Sequence, residues 1–124
     1  GRDGTQGTEN GNPMMQKALE SINRTRGVLG SALVGTDGIL ITAEMTDPQM
    51  ADLVSALAAS LADMGGKLGE ACGAGTVTQI LLEGDTGKVL VLGVSLGWLV
   101  VLTTGTVNVG LVRVEMRQAA KSIG

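Results

Sequence analysis

Four kinds of residue in this chain could carry chemistry: a Gly65-Gly66-Lys67 run, a single cysteine at position 72, scattered carboxylates and a handful of arginines. A glycine pair before lysine resembles the end of a phosphate-cradling loop, where backbone amides and the lysine ammonium hold the phosphates. Leu61 stands where that loop needs its leading glycine, however, and Leu68 where it needs a hydroxyl. Cys72 lacks the partner that would make it a thiolate, because the chain contains no histidine. Beside an aliphatic helix stripe it reads as a buried structural thiol. The missing histidine also removes the commonest general base and metal ligand. The carboxylates lie on surface turns and along one helix edge with no convergent cluster, and no GxGxxG signature follows a strand. The expectation is a protein with no catalytic residues, no metal and no cofactor.

The elements that carry these residues follow from periodicity. Val28 to Val34 and Ile39 to Ala43 are apolar runs flanking Gly35-Thr36-Asp37-Gly38, and a glycine-bracketed Asp-Gly suits a tight hairpin turn. The pattern recurs at Ile80 to Leu82 and Val89 to Leu92, around Gly84-Asp85-Thr86-Gly87. Asn12-Pro13 reads as a cap and first helical position, with Met15, Leu19 and Ile22 on one face of a short helix ending near Arg24. Val89 to Val112 is a run of 24 uncharged residues, long enough to raise a membrane span. Its glycines, threonines and valine-rich character fit two buried strands, a turn near Ser95 to Gly97 and a loop into a last helix instead. Strands apolar on both sides imply helices over both faces of the sheet.

Composition sets the remaining bounds. The 124 residues form one small domain over 13–124, and a hydrophobic content of 44% excludes a disordered chain. Residues 1–12 hold four glycines and almost nothing apolar, so they read as a flexible tail or cloning remnant. Trp98 is the lone aromatic, which leaves the core to aliphatic side chains. A formal charge of −3 with so few aromatics argues against a nucleic-acid partner. One cysteine permits no internal disulfide. Together with the lack of a signal-peptide pattern, that fits a cytoplasmic protein.

The helix over Asp47 to Cys72 carries two stripes. At about 100° per residue, Met50, Leu53, Leu57, Leu61, Met64 and Leu68 fall on one side, expected to pack on the sheet. Ala51, Ser55, Ala58, Ala62, Gly65, Gly66 and Gly69 fall roughly opposite, with Asp52, Asp63 and Glu70 along the edge between. Glycine within a helix costs about 1 kcal/mol against alanine, so three of them need a reason. Either they admit another backbone, or they mark a fraying end of an exposed face. In the last helix Val109, Val112, Met116, Ala119 and Ile123 form the inward stripe, while Arg113, Arg117 and Lys121 line up outside.

The order helix, hairpin, helix, three strands, helix, with Gly27-Val28-Leu29-Gly30, the Asp37-Gly38 turn, the Ala-rich second helix and Asn108-Val109-Gly110-Leu111, resembles the roadblock/dynein light chain family, including its bacterial gliding-regulator (MglB-like) branch. The resemblance spans Met14 to Ile123. It implies an α/β domain of order α-β-β-α-β-β-β-α, with a five-stranded antiparallel sheet and helices on both faces. The first and third helices would share one face. Residues 13–26 and 108–123 carry six bases against two acids, and 47–72 one base against four acids, so the domain would have a basic and an acidic side.

The resemblance also implies edge pairing into a homodimer, or a heterodimer with a paralogue. The edge would be Thr76 to Glu83, which has neither Pro nor Lys to block pairing. The dimer contacts expected are Ala51 and Ala58 on the helix and Thr76, Val77, Thr78, Gln79, Ile80 and Leu81 on the strand. The partner implied is a small Ras-like GTPase, docking on Asp52, Ser55, Ala59, Ala62, Asp63 and Gly66 of the paired second helices. The alternative is a structural adaptor in a motor or filament assembly, with no nucleotide-dependent partner.

Overall fold

The computed structural model describes residues 13–123, and the expectations for the tail and for an Asn12 cap lie outside them. The elements run in the order α1 (Pro13–Asn23), β1 (Val28–Gly35), β2 (Leu40–Glu44), α2 (Pro48–Ala71), β3 (Gln79–Glu83), β4 (Gly87–Val94), β5 (Gly97–Thr104) and α3 (Val109–Ile123). All strands pair antiparallel in one sheet of order β2-β1-β5-β4-β3. The expected α-β-β-α-β-β-β-α domain is therefore present.

Local chemistry explains the boundaries. Between β1 and β2, Gly38 takes φ +84° and donates to Gly35 O at 2.9 Å, while Asp37 Oδ1 accepts from Ile39 N at 3.0 Å. That closes the turn with a residue free to adopt positive φ. Asp47 caps α2 by accepting from Gln49 N at 3.0 Å, and Pro48 follows where its missing N–H costs nothing. Asn108 caps α3 through Leu111 N at 3.1 Å.

Two cores flank the sheet. Leu19 and Ile22 of α1, Val112, Met116 and Ala119 of α3, and Leu90, Leu99 and Val101 of the sheet form one. Ala32, Val34, Val91 and Val100 meet Ala58 of α2 in the other. Successive β5 residues thus enter opposite cores, which is why both sides of that strand are apolar. The long uncharged stretch is accounted for by β4, β5 and the start of α3. Among the described residues no helix is long and apolar enough to cross a membrane.

The strand expected from Thr76 starts later, at Gln79. Thr76, Val77 and Thr78 are instead the approach from α2. The chain turns at Gly73 and Gly75, both at positive φ, and Val77 is pressed toward Gly69.

Candidate interaction surface

The two stripes of α2 lie opposite to expectation. Ala51, Ser55, Ala58, Ala62 and Gly69 are buried on the sheet side, whereas Leu57 is 60% and Met64 70% exposed, with Met50, Leu53 and Leu68 also outside. The reason is steric. The sheet face beneath α2 already carries Val34, Val91, Trp98, Val100 and Leu102, so only the small side of the helix can come close. A Cβ on Gly65 would lie 2.8 Å from Ile80 Cδ1, and one on Gly69 would lie 2.5 Å from Val77 Cγ2. Those glycines admit this chain's own β3 region. At Gly66 a Cβ would meet nothing within 4 Å.

Each expected contact residue can now be placed. Asp52 and Asp63 are exposed, with Asp63 bonded to Lys67 one turn on at 3.2 Å, and Ala59 and Gly66 are half-buried. Ser55 and Ala62 are buried, and the Ser55 hydroxyl donates to Ala51 O at 2.8 Å, so their expected exposure is corrected. Ala51 and Ala58 are likewise covered by their own sheet. Gln79 and Leu81 are exposed on β3, while Ile80 is half-buried under α2. Cys72 is exposed at the C-cap of α2, contrary to the buried thiol expected, because the aliphatic stripe it follows faces outward. Gly65-Gly66-Lys67 lies inside the helix, where its amides serve the helical ladder and not a phosphate. Among the described residues no group of three or more His, Cys, Asp or Glu could hold a metal.

What the small-side packing leaves uncovered is one continuous apolar region. A cavity of about 310 Å³ opens beside α2, walled by Val54, Leu57, Leu61, Leu82, Val89 and Leu102. It adjoins the free edge strand. Thr78 O accepts from Gly93 N and Gly84 N donates to Gly87 O, so even-numbered positions bond toward β4. The main-chain groups of Gln79, Leu81 and Glu83 therefore point out of the sheet. At the opposite edge, Asn23 Nδ2 donates to Glu44 O at 2.9 Å and blunts β2.

Two features carried no sequence signal. Glu44, partly buried near Glu20, has its carboxyl pushed above the ordinary value, by desolvation first and the Glu20 charge second. Arg113 Nε is buried with no hydrogen-bond partner among the described residues. Both depend on which side chains tertiary packing brings near.

Comparison with known proteins places the fold. The chain is 37% identical over 110 residues to the uncharacterized protein MJ1340 of Methanocaldococcus jannaschii, covering 89% of this chain and 96% of that one. It superposes on a Roadblock/LC7 domain from Streptomyces avermitilis with TM-score 0.78 and 27% identity, over 89% of this chain and 91% of the other. Myxococcus xanthus MglB shares the fold with TM-score 0.79 and 19% identity, over 88% and 84% of the two chains. The Roadblock/LC7 domain family matches residues 14–103. With that match running from α1 through nearly all of β5, the chain belongs to the Roadblock/LC7 domain family.

Proposed function

We propose that this domain is a non-enzymatic interaction module of the cytoplasm, which dimerises through β3 and α2 and binds a small Ras-like GTPase as regulator or scaffold. The observation that carries the dimer is the unguarded β3 edge lying beside an uncovered aliphatic helix face. Pairing two such edges about a two-fold axis makes one sheet run through both copies and sets the two α2 helices side by side. Leu53, Leu57, Met64 and Leu68 of one copy then lie over the apolar cavity of the other. Each large aliphatic side chain so covered contributes on the order of 1 to 3 kcal/mol.

The GTPase partner rests on family resemblance. After dimerisation the outer surface of α2 presents Asp52 and Asp63, with Ala59 and Gly66 lower between them, as a shallow acidic platform. A GTPase in its GTP state has switch loops ordered by the γ-phosphate, and such an ordered surface suits rigid docking.

Sedimentation equilibrium at micromolar concentration should give a dimer. Leu81→Pro removes an outward N–H while leaving the β4 ladder intact, so this variant should remain folded and become monomeric. A wild-type monomer, or a dimeric Leu81→Pro, would reject edge pairing. Binding to a Ras-like GTPase from the same organism should be tighter with a non-hydrolysable GTP analogue than with GDP. Equal affinities would replace the regulator with the structural adaptor.

A further inference from the structure

The basic face of α3 contains a donor left unsatisfied among the described residues. Arg113 Nε is buried and unpartnered among the described residues. It adjoins a cavity of about 10 Å³ bordered by Gln79, Leu92, Met116 and Arg117. The guanidinium therefore sits beside the free edge strand, on the α1/α3 side of the sheet. A buried polar group without a partner is costly, and more so when charged. Arg113 as a whole is only half-buried, so an anion arriving across that edge would meet the rest of its guanidinium and offset the cost.

Glu83 is the acidic residue of β3, and its register gives its direction. It stands opposite Lys88, and Leu81 opposite Leu90, which belongs to the α1/α3 core. Gln79, Leu81 and Glu83 thus share the side on which Arg113 lies. The Glu83 carboxylate meets Lys88 Nζ at 3.4 Å, yet its side chain is 63% exposed. One oxygen remains open to a donor from outside.

We propose that Glu83 of each copy pairs with Arg113 and Arg117 of the other across the dimer edge, so that each basic site is completed by its neighbour. The proposal rests on the β3 pairing proposed above. The outward main-chain groups belong to Gln79, Leu81 and Glu83. A two-fold centred on Leu81 is the register that pairs the whole strand. It sets Gln79 opposite the partner subunit's Glu83 and brings that carboxylate to the mouth of the Arg113 cavity. The contact occurs twice per dimer, by symmetry. Lys88, from behind, holds each carboxylate in place.

The symmetry supplies a test that an ion pair within one chain would fail. Glu83→Arg and Arg117→Glu should each weaken the homodimer by about tenfold or more, since like charges then face each other twice. Mixed in equal amounts, the two variants should form a heterodimer of near wild-type affinity, one contact being native and the other reversed. Arg113→Glu should behave as Arg117→Glu does. Arg117 is exposed, so its variant answers the question even where the Arg113 variant does not fold. Native mass spectrometry of the mixture reads the species directly. Undiminished single variants, or no preference for the heterodimer, would overturn the proposal. In that case a monomeric Leu81→Pro would leave edge pairing standing, while a wild-type monomer would remove both.

Discussion

At residue scale, the glycines of α2 separate into those with an internal reason and one without. Gly66→Ala gains helix propensity of about 1 kcal/mol and meets nothing, so urea unfolding should show a stabilised domain. Gly69→Ala gains the same propensity but drives a methyl against Val77 and within 3.2 Å of Gly75 O, and should destabilise. Glu44 supplies a pH signature. Its pKa is raised in the fold by burial and then by Glu20, so the folded state binds its proton more tightly than the unfolded chain does. The resulting penalty is absent at low pH and develops as pH rises through the carboxylate range. Glu44→Gln should therefore raise the melting temperature at pH 7 and give no gain below the unfolded carboxylate pKa. An equal gain at both pH values would point to packing and not charge.

At the scale of elements, the orientation of α2 decides what substitutions mean. Ala62 is 5% exposed on the sheet side. Ala62→Arg therefore forces a guanidinium into the core and should cost several kcal/mol of stability, not merely a surface contact. Leu57→Glu, on the outer stripe, should leave the monomer folded by circular dichroism and shift sedimentation from dimer to monomer. Retained dimerisation of a folded Leu57→Glu would place the aliphatic stripe outside the interface. The element boundaries themselves were legible. Asp47-Pro48, the Asp37-Gly38 turn and Asn108 act through bonds to residues two or three positions away, which is the range a sequence pattern can encode. The start of β3 was not, because Val77 is taken up by packing on α2 and not by the ladder.

For the whole molecule, charge is divided between faces. The acidic residues exposed on α2 include Asp52, Asp63 and Glu70, whereas α3 carries Arg113, Arg117 and Lys121. Reversing Asp52 and Asp63 to Lys should slow association with a basic GTPase patch more than it speeds dissociation, and the effect should shrink with added salt. Stopped-flow rates at two ionic strengths check this. A change confined to dissociation would mean that the carboxylates act in direct contact and not by steering.

The sequence by itself determined the element order, the hairpin turns, the starts of α2 and α3 and the family, since all of these reside in local chemistry and in the chain order of apolar periods. It also separated most of the large from the small residues of α2, although Leu61 packs partly against the core and Gly66 meets nothing. Which set faces the sheet was decided by tertiary structure alone. A hydrophobic period reports that two faces differ, but the choice between them depends on the bulk of the opposing surface. Here the sheet face under α2 is lined with Val91, Trp98, Val100 and Leu102, so the helix approaches it by its small side. The small residues of α2 turn inward, and Met50, Leu53, Leu57, Met64 and Leu68 are left outside.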